Sequence, residues 1–385
     1  MKAGIFDPYL STLGGGERYC FTLAETLIKQ GWQVDIFWSG NKKIITKAIE
    51  RFSLDIDKIN IKKDIFNLSP QNIDLLEEKD INKISCHQCN NLHNKLKAFI
   101  KKFYITSQYD LFFYISDGSI PFLFSKNNLI HYQVPFTLKQ NKFQKISTLI
   151  KEIFINKFVC NSKFTEKFIN KYVSNKTLVL YPPVDINKFN TTKDKKNIIL
   201  SVGRFDNIMN NKKQDILIEA FSKVHAQNKN WQLVLAGGSL KNPKENKFLQ
   251  YLITKTNNLP VDFVVNPDFD TLKKIYTKAK IYWHAAGFDI NENQKPEFTE
   301  HFGITVVEAM ASGVVPLVIN KGGLPEIILD KKSGYIWGNL NELITLTQKL
   351  IDNPKKLNKI SRKSINRSKL FSKENFNKIL LKKII

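Results

Sequence analysis

Two carboxylates, a histidine and an arginine stand where their types and spacing can do chemistry. Glu300 and Glu308 bracket the stretch Glu300-His-Phe-Gly-Ile-Thr-Val-Val-Glu308, which is followed by Ala309-Met-Ala-Ser-Gly313. The pattern predicts a helix starting near Gly303 or Ile304 and ending at Gly313, a residue suited to the left-handed turn behind a helix. Backbone N–H groups of Phe302, Gly303 and Ile304 would then point out of the helix start, where the dipole favours an anion such as a phosphate. A phosphate held there would bring a sugar near one carboxylate and a ribose near the other. Carboxylates suit that task because charged acceptors bind hydroxyls strongly. An isolated E-x7-E is ordinarily two surface glutamates. Here Glu308 is embedded in the apolar run Ile304 to Ala311, where an unpaired carboxylate is costly. His131 closes the strand-like run Leu129-Ile-His131-Tyr-Gln-Val, at the end of a strand where parallel sheets gather their ligands. A histidine there can hydrogen-bond a sugar hydroxyl, although a lone histidine is more often a satisfied core residue. Arg204 sits beside a glycine turn, as does Arg18.

The elements that must position these residues alternate strand and helix. Lys2 to Phe6 predicts a strand, Gly14-Gly15-Gly16-Glu17-Arg18 a glycine-rich turn, and the segment to Gln30 an amphipathic helix with Tyr19, Leu23 and Leu27 at helical spacing. Val34 to Trp38 is the next strand. Strand, turn, helix, strand is the opening of a doubly wound domain. The adjacent glycines do not form G-x-G-x-x-G, so NAD binding does not follow. They would instead let backbone approach a ligand from the other side of a cleft. Further strands are expected at Asp110 to Ile115, Phe158 to Cys160 and Thr177 to Tyr181, where Pro182-Pro183 breaks the run. A second doubly wound set begins at Asn197 and continues through Trp231 to Ala236, Val261 to Val265, Lys280 to His284 and Val314 to Ile319.

Composition narrows the class. The chain has 385 residues, 42% hydrophobic, enough for two α/β cores. Its start predicts no signal peptide, and no apolar run approaches the roughly 18 residues needed to span a membrane. Four cysteines (Cys20, Cys86, Cys89, Cys160) are too few and scattered for a disulfide framework, which points to a reduced, cytoplasmic protein. The formal charge is +24, yet only five basic residues are arginine, and lysine, asparagine and isoleucine abound throughout. That is the mark of an AT-rich coding bias, and with no nucleic-acid module present nucleic-acid binding is not expected. Weak attraction to an anionic membrane fits better. Asp55-Ile-Asp57 stands without further ligand candidates, and Cys86-His-Gln-Cys89 with His93 lacks a second ligand pair. No metal site is expected.

With these pieces placed, most of the chain resembles the retaining GT-B glycosyltransferases of the group 1 (family four) class. The likeness is carried by Gly14-Gly-Gly-Glu-Arg18, Asn161-Ser-Lys-Phe-Thr165, Tyr181-Pro-Pro-Val-Asp185, Val202-Gly-Arg204 with Lys212, Glu300 to Gly313, and Gly322-Gly-Leu-Pro-Glu326. A subset with Glu-His-Phe-Gly, including mannosyltransferases acting on lipid-linked oligosaccharides, is the most similar. Two departures are a longer link, Gly287 to Thr299, and His301 where glycine is common.

The resemblance implies an α/β protein of two Rossmann-like domains facing across a cleft: residues 1–186, a linker 187–197, a donor domain 198–365, and a helix 366–385 crossing back to the first domain. It implies that Arg204 and Lys212 hold the donor diphosphate and stabilise the leaving group, Glu300 binds the transferred sugar, and Phe302, Gly303 and Ile304 add backbone contacts. Glu308 would bind the ribose, Gly15 and Gly16 would line the facing loop, and His131 would contact the sugar. No cofactor or metal is implied beyond the nucleotide-diphosphate sugar, with GDP-mannose ahead of UDP-sugars. The acceptor would be a glycan or a lipid-linked glycan at the inner membrane face. Competing readings are another GT-B chemistry, such as a nucleotide-sugar epimerase or a sugar phosphorylase, and a noncatalytic scaffold that kept the fold.

Overall fold

The computed structural model describes residues 1–66, 92–136, 141–173, 177–206, 211–239 and 242–385, with side chains from residue 96 onward in the helix that begins at Leu92. The chain divides into two compact units. One comprises Met1–Asn161, Thr165–Pro182 and Asn377–Ile385; the other comprises Ser162–Phe164 and Pro183–Phe376.

The first unit is built on a seven-stranded parallel sheet in the order β3-β2-β1-β4-β5-β6-β7. Its strands are β1 (Lys2–Phe6), β2 (Gln33–Phe37), β3 (Asn60–Lys62), β4 (Leu111–Ile115), β5 (Asn127–Tyr132), β6 (Lys157–Cys160) and β7 (Thr177–Val179). Helices α1 (Gly15–Lys29), α2 (Ile44–Phe52), α3 (Leu92–Thr106), α4 (Lys142–Glu152) and α5 (Lys163–Ile169) connect them. Continuous apolar runs such as Leu111-Phe-Phe-Tyr-Ile115, buried at every position, are what a parallel strand covered on both faces requires. The strand expected from Leu129 starts two residues earlier, at the polar pair Asn127-Asn128. Asn128 is buried, and its carboxamide accepts from Ser125 and donates to the Leu123, Ser125 and Phe154 carbonyls. Those bonds offset the burial of a polar side chain at a strand start.

The second unit carries a six-stranded parallel sheet, β10-β9-β8-β11-β12-β13. Its strands are β8 (Ile198–Val202), β9 (Gln232–Gly237), β10 (Val261–Val265), β11 (Ile281–His284), β12 (Val315–Ile319) and β13 (Tyr335–Trp337). The helices are α6 (Gln214–Gln227), α7 (Lys247–Lys255), α8 (Phe269–Lys278), α9 (Ile304–Ala311), α10 (Leu324–Ile327), α11 (Leu340–Ile351) and α12 (Pro354–Ser368); α13 (Lys373–Lys383) begins in this unit and from Asn377 belongs to the first. Trp283 and Trp337 are among its largest fully buried side chains. The segment 187–197 opens with a short 3-10 turn, Ile186–Lys188.

In both sheets the chain reverses its direction of winding beside the first strand, between β1 and β4 and between β8 and β11. Such a switch point leaves a crevice at the carboxyl ends of the two strands, where open α/β sheets take ligands.

Candidate active site

In the second unit the switch point is occupied by the predicted residues. The turn after β8 supplies Arg204 and Lys212, and the link after β11 supplies Glu300. Lys212 Nζ donates to Glu300 Oε2 at 2.5 Å, both side chains being about one-seventh exposed (15% and 14%). Burial works against a charged Glu300, but the Lys212 ammonium, reinforced by His284, overrides it and holds the carboxyl below the usual carboxylate range.

His284, the last residue of β11, is the member the sequence reading missed. Its Nε2 lies 3.1 Å from Glu300 Oε2, while its Nδ1 accepts the Ala286 N–H at 3.3 Å. An imidazole whose Nδ1 accepts carries its proton on Nε2; that nitrogen stands within ion-pair distance of Glu300 without making a well-aligned hydrogen bond among the described residues. Burial is the main force lowering the His284 pKa; Glu300 opposes it and Lys212 adds to it. The signal that selected His131, a histidine at the carboxyl end of a parallel strand, applied equally to His284.

Glu300 is also fixed through its backbone. The Gly323 N–H donates to the Glu300 carbonyl at 2.8 Å, and a Cβ at Gly322 or Gly323 would strike the carbonyls of Glu300 and His301 respectively. The Gly322-Gly323 turn after β12 therefore needs glycines for close approach, not for flexibility. Glu292, from the long link, accepts the Gly322 N–H at 2.9 Å. Together with Lys321 that link walls a cavity of about 460 Å³, lined by Phe288, Asp289 and Ile290 among others, which Glu300, Arg204 and Lys212 do not line.

Gly303 caps α9 with φ +113°, a left-handed conformation, and no side chain closes the helix start. A Cβ there would also lie 2.9 Å from Leu324 Cδ2. The Val306 N–H turns back to the Gly303 carbonyl at 3.1 Å, and among the described residues no capping side chain competes with an anion for the first turn. The Phe302 side chain is buried edge-on against Phe371 at 5.5 Å, so its backbone alone is suited to face a ligand. Ile304 is the first residue of α9. Glu308, one turn inside, is 8% exposed and accepts from Tyr276 Oη at 3.1 Å. Tyr276 reaches in from α8, a contact with no trace in the linear pattern. Arg204 is the exposed member: its side chain is 57% exposed and sits 3.4 Å from Asp206.

His131, Gly15 and Gly16 belong to the first unit. His131 is fully enclosed, stacked on Tyr19 at 4.1 Å and Phe113 at 5.4 Å, and its Nδ1–H donates to the Val159 carbonyl at 3.0 Å. Burial pushes its pKa down to about 3, the Val159 bond opposing, so it is neutral. Its Nε2 is a buried acceptor with no hydrogen-bond partner among the described residues. Gly15 and Gly16, expected to line a loop, are instead the first two residues of α1 with Gly14 as its cap. Glu17 draws the chain into the helix at that point, accepting from the Gly14 N–H and from Thr12 Oγ1. A Cβ at Gly16 would strike the Gln133 carboxamide. Among the described residues no group of three His, Cys, Asp or Glu side chains can hold a metal ion. Cys86 and Cys89, and the side chain of His93, lie outside the described residues.

Paired doubly wound sheets with charged groups at a switch point define a class, and comparison with known structures agrees. The fold is that of the GT-B glycosyltransferases. It is similar to a glycosyltransferase from Rickettsia africae (TM-score 0.72, 18% identity, 99% of this chain and 96% of that one). It is also similar to Anabaena Alr3699/HepE in complex with UDP and glucose (TM-score 0.67, 16% identity, 99% and 98%). Residues 184–367, which lie in the second unit, match the family described as Glycosyl transferases group 1.

Relatives are named as mannosyltransferases. The GDP-Man:Man(3)GlcNAc(2)-PP-Dol alpha-1,2-mannosyltransferase of Dictyostelium discoideum is 22% identical over 100% of this chain and 84% of its own length. The Xenopus tropicalis protein of the same name is 32% identical over 39% of this chain and 30% of its own length. An alpha-1,3/1,6-mannosyltransferase of Dictyostelium discoideum is 26% identical over 60% of each.

Proposed function

We propose that this protein transfers mannose from GDP-mannose to a lipid-linked oligosaccharide, with retention of configuration and without a metal ion. The observation that carries the reading is the charged Glu300 carboxylate bound to Lys212 at the second switch point, beside the uncapped start of α9. That arrangement provides a hydroxyl acceptor, a cation and an anion-binding helix terminus within one crevice. The names of the relatives support the sugar, the nucleotide and the acceptor.

In the proposed reaction the α9 N-terminus, Lys212 and Arg204 hold the diphosphate, Glu300 accepts hydrogen bonds from the sugar hydroxyls, and Glu308 accepts them from the ribose. The bond between the sugar C1 and the β-phosphate oxygen breaks, and the negative charge that develops on the diphosphate is stabilised by the two cations. The acceptor hydroxyl attacks C1 from the same face and gives its proton to the departing phosphate oxygen. Fixed cations can carry this step, so no metal is invoked. Glu300 is tied to Lys212 and His284, an arrangement suited to positioning rather than to a carboxylate nucleophile.

The test is thermal stabilisation by a panel of nucleotide sugars, since a ligand specific to the folded state raises apparent stability with the logarithm of its concentration over Kd. GDP-mannose is expected to give the largest shift, and Glu308→Gln to weaken its binding by about tenfold, a hydrogen bond to a charged group being lost. A larger shift with a UDP-sugar would move the assignment to that donor. Absence of a shift with every donor would favour a binding subunit without transfer activity. An NMR assay of the product anomer then settles retention against inversion.

A further inference from the structure

The first unit exposes an apolar surface that its own core does not use. Helix α4 is exposed along almost its whole length; only Thr148, Lys151 and Glu152 are shielded. Phe143 is 84% exposed, Ile153 75% and Leu149 62%. On α3 the residues Leu96, Phe99, Ile100, Phe103 and Tyr104 are exposed at helical spacing, so one whole stripe faces outward.

The two stripes are continuous. Phe99 packs against Phe122 and Phe124 at 5.3 and 5.5 Å, Phe103 against Phe124 at 4.9 Å, and Phe154 against Phe124 and Phe122 at 5.1 and 6.0 Å. A layer of edge-to-face rings thus joins α3 to the end of α4. Isolated surface apolar residues need no explanation, but a contiguous patch of this kind marks an interaction surface.

Charge identifies the partner. Leu92–Thr106 contains Lys95, Lys97, Lys101 and Lys102 and no acid; α4 contains Lys142, Lys145 and Lys151, and its one acid, Glu152, is buried. A two-fold dimer through this face would place lysines opposite lysines with no carboxylate to pair them. A bilayer bearing anionic lipid offers what the face lacks: an apolar medium for the rings and negative headgroups for the ammonium groups.

We propose that α3, α4 and the Phe122–Phe124 segment form a membrane-docking face that lies in the headgroup boundary of an anionic bilayer without crossing it. No helix among the described residues is long and apolar enough to span one. Helix α4 starts on the carboxyl side of β5, the end at which α/β folds take ligands, while Phe122–Phe124 and Phe154 precede β5 and β6 and stand at the amino end. This deepens the lipid-linked acceptor of the proposed function and rests on that reading for its purpose, though the docking itself does not depend on it.

The experiment is flotation of the full chain with vesicles of equimolar phosphatidylcholine and phosphatidylglycerol, and with phosphatidylcholine alone, at low and high salt. Wild type is expected to float with the anionic vesicles, to bind the neutral ones far less, and to release as salt rises. The exposed-site variant Phe143→Ser/Ile146→Ser/Ile153→Ser is expected to lose at least about tenfold in partitioning, and Lys142→Gln and Lys145→Gln about fivefold each. Melting temperature and the nucleotide-sugar shift, read on the same variants, should stay at wild-type values. Loss of the shift in wild type would sink the transfer reading and leave the docking face standing. The docking proposal falls if wild type ignores anionic vesicles at low salt, or if the triple variant binds as well. It falls also if sedimentation shows a wild-type dimer that the triple variant turns into a monomer.

Discussion

The two switch points share a topology and carry opposite electrostatics. In the second unit, Glu300 is held ionised by a lysine and a histidine. In the first, Asp7 follows β1 fully buried, and burial first, then the Glu17 charge, drives its pKa well up, against a hydrogen bond from the Tyr9 N–H. Glu17 is raised as well, chiefly by burial. His131 nearby in the same sheet is held neutral. One crevice therefore has an ionised carboxylate paired with a cation, with the exposed Arg204 beside it. The other has carboxyls that burial pushes toward the protonated form beside a neutral histidine, surroundings less suited to a phosphate. The same backbone plan has been given two chemistries by what stands next to each carboxylate, not by where the carboxylates lie.

Removing the cation should erase the contrast at greatest cost. Lys212→Met is expected to lower turnover by about a thousandfold, the scale of losing a principal charge stabiliser of the transition state, as read by transfer of labelled sugar. It should also flatten the acid limb of the stability curve. A carboxyl held below its unfolded value stabilises the fold above about pH 4.3, and that stability is lost as the pH falls through the folded value. With Lys212 gone the depression of Glu300 is relieved, so melting temperature should fall less steeply with acid.

Displacing the backbone rather than the charge should cost less. Gly323→Ala forces the new Cβ against the His301 carbonyl and shifts the Glu300 loop. A drop of about a hundredfold in turnover is expected, the scale of a displacement near 1 Å at a reacting centre, while the salt dependence of donor binding remains that of wild type. Arg204→Ala should cost about tenfold in turnover and leave the melting temperature unchanged, because an exposed pair such as Arg204–Asp206 adds little to stability. A melting shift of several degrees in that variant would show that Arg204 is structural.

The smallest effect comes from the first crevice and has the opposite sign. A carboxyl with a raised folded pKa favours the fold below its unfolded value near 3.9, and that advantage is lost as the pH climbs through the folded value. Asp7→Asn should therefore gain a few degrees of melting temperature over wild type, increasingly so toward neutral and alkaline pH. If the variant's curve runs parallel to wild type, Asp7 is ionised in the fold and the contrast between the crevices is overstated.

The second crevice was far more legible in the sequence than the first. Gly303 and the apolar run around Glu308 announce a helix start with an enclosed carboxylate, and unbroken apolar strands announce a covered parallel sheet. His284 was not legible as a partner of Glu300 because the long link separates them; only the fold brings a strand end and a distant loop together. Tyr276 was invisible for a simpler reason: at helical spacing a tyrosine reads as core, and its phenol tip finds Glu308 only in three dimensions. In the first unit Glu17 could be seen beside the glycines, but not that it would draw Gly15 and Gly16 into a helix.

The glycine turn wedged against Glu300 also bears on how such an enzyme can be altered. Residues 287–303 and 320–324 interlock through the Glu292–Gly322 and Glu300–Gly323 hydrogen bonds. A chimaera that imports the glutamate loop from a relative while keeping the host's glycine turn would mate two halves cut to different patterns. Sugar preference should therefore pass between homologues as a two-segment cassette, and libraries that randomise one segment alone should yield mostly misfolded loops.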